Sequence, residues 1–545
     1  MAARYRPCVR IRLQLALLST ALLAASCSSA DSGVSATRAD AEATAAAPAT
    51  DSVAPTETTT PDSVSDTADD TTVDPTQPAT TAPDVSDPKL VDPDGLGDEL
   101  YPPLGNPGYD VQHYDVDLTY DGETQQLDAV VGIDVVALDA RDEFTLDATF
   151  TGVESVVVDG APATFVEDSP ELRISLTDSW AAGDAARVEI TYSIIARPQV
   201  GADQFPIGWF NTAEGSYVLN EPDGARSWLP SNDHPSDKAT FRFVIHTAPG
   251  ITGVANGRLV EHTVDAAGET WVWDNTDPTA TYLLLVLTGD YEIIEGVGPD
   301  GLPLLSVVLR QDRELMQPYI DTMAAQIDFF DGFFGAYPLS TYGLAMTDSF
   351  GGLAMETTGR SLFSREDFAD GVVGYLQDLL LAHELAHQWF GDAVTPAVWK
   401  DIWLNESFAT YAQWMWLAEA GYATVDEQAR EALGARDARS TAEPTASDLF
   451  GFNSYDGGAT ILHALRLTVG DATFFAILRD WVADNSGTSQ STADFIALAE
   501  RVAERDLTEF FDTWLFAAKV PAAFPVPTGF GVSAGFGLRT ASVGG

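Results

Sequence analysis

The chain has 545 residues, enough for more than one domain and for a large buried core. It carries 82 acidic against 28 basic side chains, a formal net charge of −54. Because phosphate binding requires clustered lysine and arginine side chains, this charge argues against nucleic-acid partners and against electrostatic docking on anionic lipid.

Residues 1–27 are typical of a lipoprotein-type signal peptide. Four arginines precede an apolar stretch at 13–25, which is too short to span a bilayer as a helix. The stretch ends in Leu-Ala-Ala-Ser-Cys at 23–27, which resembles the bacterial lipoprotein cleavage box and implies a lipid on Cys27. We therefore expect an extracytoplasmic protein that is anchored to the membrane only through this lipid. An ordinary signal peptide and a secreted protein are the alternative.

Two further segments are expected to lie outside the folded domains. Residues 28–98 consist mainly of alanine, threonine, serine, proline and aspartate, and such a segment cannot bury enough apolar surface to fold. We interpret it as a disordered acidic tether. Residues 524–545 are rich in glycine and proline and are predicted to form a loose tail. No cysteine follows Cys27, so the folded part has no disulfide bond.

Residues 99–293 show the alternation of apolar and polar side chains that is typical of strands. It is clearest at 114–120, where Tyr114, Val116, Leu118 and Tyr120 alternate with polar residues. The other runs of this kind are 131–135, 156–158 before the turn Asp159-Gly160, 187–195, 241–245 and the buried run 282–287. The region is predicted to form a β-sandwich-like N-terminal domain.

From residue 294 to 523 the pattern changes to that of a mostly helical domain. A short strand is predicted at 304–309. Helical spacing of apolar residues follows at 312–335, 366–391, 404–421, 423–436, 456–468 and 471–484. The fold class expected for the whole chain is therefore multidomain α+β.

The sequence His383-Glu384-Leu385-Ala386-His387 is a metal-binding signature. Residues four apart lie on one face of a helix, so both imidazoles can reach one ion. Glu384 borders the same cavity, where it can take a proton from a water molecule. The alternative is that Glu384, together with Glu406 on the next predicted helix, only lies on an exposed helix face.

A hydrolytic zinc site needs a third protein ligand and an open fourth position. Glu406 is the candidate, since it lies 19 residues after His387, on the next predicted helix beyond a turn through Thr395-Pro396. Two imidazoles and one carboxylate favour one Zn²⁺ per chain, although cobalt or manganese could occupy such a site in vitro.

The stretches HELAHQWFG at 383–391 and WLNESFATY at 403–411 closely resemble the aminopeptidase N-type zinc metallopeptidases of the gluzincin clan. The resemblance runs from about residue 114 to 521. It implies a thermolysin-like catalytic domain and the removal of single residues from the N-terminus of peptides. The resemblance is to a form of the family that we expect to lack the large C-terminal helical domain of the longer relatives.

The same resemblance implies three further site residues. Leu353-Ala354-Met355-Glu356-Thr357 resembles the Gly-Ala-Met-Glu-Asn exopeptidase motif, in which Glu356 would bind the substrate's α-ammonium group. Glu221, in Asn220-Glu221-Pro222, would be the second ammonium ligand. Tyr455, in the segment YDGGA at 455–459, would donate a hydrogen bond to the oxyanion. For each residue the alternative is an ordinary structural role.

Two other readings stay open from the sequence. One is a gluzincin endopeptidase of the thermolysin type, which shares the zinc helix, and Glu356 and Glu221 argue against it. The other is a non-catalytic surface-binding relative, which is disfavoured because the ligands, base and tyrosine all occur together. An epoxide hydrolase side activity, known for one branch of the family, is a further possibility. The sequence indicates neither the side-chain preference nor the oligomeric state.

Overall fold

The computed structural model describes residues 95–201, 205–349, 351–369 and 374–526. The predicted signal peptide, most of the predicted tether and residues 527–545 of the predicted tail lie outside the described residues. In the ranges described, no helix has the length and apolar character needed to cross a membrane.

The N-terminal half is built on a large sheet with one buried face. Strands are numbered in chain order, and in spatial order the sheet consists of β14 (Arg258–Val264), β15 (Glu269–Ala280), β12 (Lys238–Thr247), β1 (Tyr109–Asp121), β2 (Gln126–Ala137), β8 (Ala185–Ile195), β4 (Val153–Val158) and β5 (Ala161–Pro162). In β1 the side chains of Tyr114, Val116 and Leu118 are buried, while their neighbours face outward. This period of two follows from the strand geometry, which sends successive side chains to opposite faces.

Two smaller sheets complete this half. One has the order β13 (Thr252–Ala255), β16 (Val286–Gly289), β11 (Gly215–Leu219), β10 (Pro206–Asn211), β9 (Pro198–Val200), and the other β3 (Arg141–Asp147), β7 (Glu171–Trp180), β6 (Thr164–Asp168). Their buried side chains join those of the large sheet in one hydrophobic core, in which Trp209, Trp228 and Trp273 are fully buried. The β-rich N-terminal domain expected from the alternation is confirmed.

The second half combines a five-stranded sheet with helices. The sheet has the order β17 (Tyr291–Val297), β18 (Pro303–Leu309), β19 (Leu344–Thr347), β21 (Ser361–Ser364), β20 (Ala354–Met355). The helices are α1 (Arg313–Phe334), α2 (Gly374–Ala386), α3 (Trp403–Glu419), α4 (Val425–Ala435), α5 (Asp456–Val469), α6 (Asp471–Asn485), α7 (Thr492–Ala503) and α8 (Thr508–Phe511). The mostly helical second domain is confirmed. The exact domain boundaries stay predictions, and the one between residues 293 and 294 falls within β17.

Three details differ from the helices and turns expected from the sequence. The helix predicted at 366–391 is interrupted, because residues Arg365–Phe368 form a separate 3-10 turn and α2 ends at Ala386. The predicted turn through Thr395-Pro396 is a short strand, β22 (Val394–Pro396), which pairs in parallel with β23 (Thr488–Gln490). Helix α7 was not expected.

The ends of the folded region also differ from expectation. Asp98, at the end of the predicted tether, is buried, and its carboxylate accepts hydrogen bonds from the backbone N–H groups of Leu100, Tyr101 and Trp399. Phe524, at the start of the predicted tail, is buried with its ring centroid 5.7 Å from that of Trp514. Both segments therefore extend further into the fold than composition indicates.

A buried arginine joins the two halves beside the loop that carries Glu356. The Arg360 guanidinium donates to the backbone carbonyls of Leu305, Ala255 and Gly257, at 2.9, 2.5 and 3.0 Å. It also lies 5.0 Å from the centroid of the Trp273 ring. Burial lowers the pKa of Arg360 to about 9, and each of its three nitrogens donates to one of these carbonyls.

Helices α3 and α5 approach each other closely at a glycine. A Cβ atom on Gly458 would lie 1.7 Å from Oγ of Ser407. Ser407 follows Glu406 in the chain, and its hydroxyl donates to the carbonyl of Ser454 at 2.6 Å. The segment that leads into Tyr455 is thereby held against α3.

We expect Gly458→Ala to lower the free energy of unfolding by about 1–3 kcal/mol, because the added methyl must displace Ser407 and break its hydrogen bond. Gly434→Ala is the matched control, since nothing lies within 4 Å of a Cβ at that helical glycine. The control should raise the free energy of unfolding by about 0.5–1 kcal/mol. Urea unfolding followed by tryptophan fluorescence measures both, and an equal gain for the two variants would contradict the close approach.

Candidate metal centre and substrate site

Three side chains with metal-binding atoms converge between α2 and α3. Oε2 of Glu406 lies 3.2 Å from Nε2 of His383 and 3.5 Å from Nε2 of His387. One ligand atom of each residue lies within 4.8 Å of the other two, and all three side chains are buried. Two imidazole nitrogens and a carboxylate oxygen at this spacing fit a zinc ion that keeps an open position.

The end of α2 brings the two histidines together. His387 follows the last residue of the helix, yet its N–H still donates to the His383 carbonyl, so the two residues keep the helical spacing. The chain then turns at Gly391, whose φ of +133° favours glycine. A Cβ at Gly391 would lie 3.2 Å from both Nδ1 of His387 and Nδ2 of Asn405. The glycine therefore lets the turn approach the metal-binding residues.

Hydrogen bonds orient both imidazole rings. Nδ1 of His383 lies 2.9 Å from Oε1 of Gln413, and Nδ1 of His387 lies 3.1 Å from the carbonyl of Phe390. Both partners are acceptors, so each Nδ1 carries the proton and each Nε2 keeps its lone pair for the metal. Burial raises the pKa of Glu406, but the two imidazoles beside this carboxylate outweigh burial and lower the pKa to about 2, which keeps the ligand ionised.

Glu384 has a carboxylate oxygen without a hydrogen-bond partner among the described residues, and it lies close to the metal-binding side chains. Its side chain is buried, and Oε2 has no hydrogen-bond partner in the part of the chain that the structure describes. Ligand atoms of Glu384, Glu356 and His387 lie within 4.8 Å of one another. Burial raises the pKa of Glu384, and the neighbouring carboxylates Glu356 and Glu406 add to the shift. A carboxyl group with a raised pKa and a free lone pair can accept a proton and return it.

Glu356 and Glu221 reach the same cavity from two loops. Glu356 follows β20, and Glu221 lies shortly after β11. Ligand oxygens of Glu221, Glu356 and Glu406 lie within 4.8 Å of one another. Burial raises the pKa of both loop carboxyl groups, and for Glu221 the charge of Glu356 adds to the effect. The two carboxylates form a site for a positively charged ligand group.

Tyr455 is the residue immediately before α5, and its side chain lies beside the metal ligands. Its ring is stacked on that of His383, with centroids 5.9 Å apart. Burial raises the pKa of Tyr455 well above its usual value, so the hydroxyl keeps its proton. The structure thus brings all seven predicted site residues close to one another.

Sequence reasoning missed several side chains that hold this arrangement. Gln388 accepts the N–H of Gly359 at 2.8 Å and donates to the carbonyl of Glu356 at 3.1 Å. Gln413 lies seven residues after Glu406, which puts both on one face of α3, and this spacing was a usable signal. No sequence signal linked Gln388 to the loop of Glu356.

Asp392 follows Gly391 in the turn after His387. It is buried, and its N–H donates to the carbonyl of His387. The Lys238 ammonium group donates to the backbone carbonyl of Asp392 at 2.7 Å and to that of Ala393 at 3.1 Å. A cation from β12 therefore supports the turn.

We expect Gln413→Leu to lower zinc affinity about 10- to 100-fold, because His383 loses the acceptor that fixes its ring and proton. Competition with a chromophoric chelator measures the zinc dissociation constant. Gln413→Glu keeps an acceptor at the same reach and should retain the wild-type affinity. Equal affinity for wild type and Gln413→Leu would show that Gln413 does not orient the ligand.

Comparison with known proteins follows the same division of the chain. The Peptidase M1 N-terminal domain model matches residues 110–283, and the Peptidase family M1 domain model matches residues 319–514. Aminopeptidase N of Streptomyces lividans is 27% identical over 57% of this chain and 39% of its own. Leucyl aminopeptidase of Saccharolobus solfataricus is 25% identical over 74% of this chain and 53% of its own. The chain spans between a third and about half of the curated relatives it matches.

The solved structures match over nearly their full length. The M1 zinc metallopeptidase of Deinococcus radiodurans is 30% identical, with a TM-score of 0.73, and the match covers 80% of this chain and 100% of that one. A mutant of that protein, bound to a Tyr-Ser-Ala substrate, is 29% identical with a TM-score of 0.72 and coverage of 79% and 99%. The sheet-rich first half, the helical second half and the His-His-Glu centre agree with this relationship, and the chain belongs to the M1 family of zinc metallopeptidases.

Proposed function

We propose that the chain is a zinc-dependent aminopeptidase that removes single residues from the free N-terminus of peptides. The observation that carries the proposal is the position of Glu221 and Glu356, whose ligand oxygens lie within 4.8 Å of that of Glu406. Related proteins named as aminopeptidases and a neighbour bound to a tripeptide substrate support the same substrate class.

The short distance between the carboxylates and the metal ligands sets the register of cleavage. One residue of extended chain spans about 3.3–3.6 Å. An α-ammonium group held by Glu221 and Glu356 therefore brings the first carbonyl of the peptide to the metal centre. The second carbonyl lies one residue further away and does not reach it. A peptide without a free ammonium group lacks the charge that the two carboxylates bind.

Each of these side chains has a separate role in the hydrolysis. When bound, zinc polarises the scissile carbonyl and lowers the pKa of a water molecule. Glu384 takes a proton from the attacking water and delivers it to the leaving amine nitrogen. The protonated Tyr455 hydroxyl donates a hydrogen bond to the oxygen on which negative charge develops. Glu221 and Glu356 hold the N-terminal residue still while these steps occur.

The direct test compares aminoacyl amides that have a free N-terminus with the same amides after N-acetylation. We expect release only from the free amines, and loss of release when a chelator removes the metal. Turnover of the acetylated substrates would contradict the ammonium-binding role of Glu221 and Glu356 and would make the protein an endopeptidase.

Replacing Glu384 by glutamine should keep zinc and lower kcat about 100- to 10,000-fold, because the amide cannot accept the proton of the attacking water. Metal analysis and steady-state kinetics on a free aminoacyl amide measure the two effects. The exposed acid Glu419, at the end of α3, offers a control, and Glu419→Gln should retain wild-type kcat. Retained activity in Glu384→Gln would assign the proton transfer to another group.

We also propose that the protein is exported and carries a lipid on Cys27. The basic start, the apolar stretch and the Cys27 cleavage box support this location. In a bacterial expression host, labelled palmitate should be incorporated into the wild-type protein and not into Cys27→Ser. Equal labelling of both proteins, or of neither, would contradict the lipid anchor and favour a secreted protein.

A further inference from the structure

We propose that the carboxylates of Glu221, Glu356 and Glu384 also form a second cation site, which binds a divalent metal ion beside the zinc centre when no substrate is bound. This ion competes with the α-ammonium group of the peptide, so the site is a point of inhibition by divalent cations. The proposal relies on the proposed function for the identity of the competing ligand.

The spacing of the oxygens suits a metal ion. Ligand oxygens of Glu221 and Glu356 belong to one triplet within 4.8 Å, and those of Glu356 and Glu384 belong to another. Oxygen ligands lie about 2.0–2.6 Å from Mg²⁺, Mn²⁺ or Ca²⁺, so oxygens on opposite sides of the ion are about 4–5 Å apart. Glu356 is common to both triplets, which are completed by the zinc ligands Glu406 and His387, so an ion bound by Glu356 has Glu221 from one triplet and Glu384 from the other as its further carboxylate neighbours.

Each of the three side chains offers an enclosed oxygen without a hydrogen bond. These atoms are Oε1 of Glu221, Oε1 of Glu356 and Oε2 of Glu384, and none has a partner among the described residues. Glu356 is 3% exposed and Glu384 is 5% exposed. The nearest ring nitrogen to Glu356, Nδ1 of His387, is 3.8 Å away and bonds to the carbonyl of Phe390 instead. A buried carboxylate in this state is costly, and a ligand cation removes that cost.

The buried cations of this region are engaged elsewhere. Lys238 donates to the carbonyls of Asp392 and Ala393. Arg360, four residues after Glu356, donates to three backbone carbonyls. Within the described ranges, both side chains donate to backbone carbonyls, so neither neutralises the three carboxylates.

The formal charges also favour a divalent ion. Glu221, Glu356, Glu384 and Glu406 carry four negative charges when ionised, and the zinc ion supplies two positive charges. Two negative charges are left over. A substrate ammonium group cancels one of them, whereas a second divalent cation cancels both. Because the free ligand atoms are carboxylate oxygens, they favour a hard ion such as Mn²⁺, Mg²⁺ or Ca²⁺.

Titration of the zinc-loaded protein with Mn²⁺, followed by the electron paramagnetic resonance signal of free Mn²⁺, tests the proposal. We expect one saturable Mn²⁺ site per chain while metal analysis still finds one zinc ion. Leucinamide should displace the Mn²⁺, and N-acetyl-leucinamide should not. The absence of a saturable site, uptake of Mn²⁺ matched by loss of zinc, or a site insensitive to leucinamide would each overturn the proposal.

Two variants locate the ion. Glu356→Gln and Glu221→Gln each remove one negative ligand and should weaken Mn²⁺ binding about 10-fold or more, with one zinc ion retained. Glu419→Gln controls for weak binding to the acidic surface and should bind Mn²⁺ as wild type does. Thermal unfolding confirms that each variant is folded. Wild-type Mn²⁺ affinity in both site variants would overturn the assignment of the ligands.

Kinetics separate this proposal from the aminopeptidase proposal. Mn²⁺ should raise the KM for a free aminoacyl amide and leave kcat unchanged, because it competes for the ammonium site. If the protein releases single residues but binds no Mn²⁺, the cation proposal alone fails. If it cleaves acetylated substrates, the ammonium-binding role fails, and the Mn²⁺ titration still reports on the carboxylates independently.

Discussion

The position of Glu356 relative to the zinc-binding turn depends on one amide side chain. Gln388, next to His387, donates to the carbonyl of Glu356 and accepts the N–H of Gly359. Oε1 of Gln388 also accepts a hydrogen bond from the hydroxyl group of Tyr337, at 3.2 Å. Because Gln388 is part of the metal-binding segment, the carboxylate that we propose binds the substrate's N-terminus and the residues that fit zinc are held in one frame. In the proposed function, the distance between them determines which peptide bond is cleaved.

Uncompensated negative charge is the second property of the site. Four carboxylates and two imidazoles lie close together, while Lys238 and Arg360, among the described residues, donate to backbone carbonyls. A bound zinc ion and a substrate ammonium group would supply the positive charge that Lys238 and Arg360 do not bring to these carboxylates. The proposed selectivity for a free N-terminus and the proposed affinity for a second cation thus have the same origin. A cavity without fixed counter-charge attracts small cations and favours substrates that bring their own.

The zinc ligands and the base could be predicted because their spacing is a local property of two helices. The residues that hold the site in place could not be predicted. Gln388 contacts a residue 32 positions away, and Arg360 contacts one 105 positions away, so neither contact leaves a periodic signal. The helix predicted at 366–391 ends at Ala386, earlier than expected, for a related reason. Trp389 and Phe390 are buried in the turn after α2. Their spacing from the apolar residues of α2 is the spacing expected within a helix, although they lie beyond its end.

The central claim is that two carboxylates place only the first peptide bond at the metal centre. Mass spectrometry of an unblocked ten-residue peptide, sampled during digestion by the zinc-loaded protein, tests it most directly. The account predicts a ladder of products, each shorter by one N-terminal residue, together with free amino acids. Internal fragments, or dipeptides released as the first products, would contradict it, because either product requires a peptide bond beyond the reach set by Glu221 and Glu356.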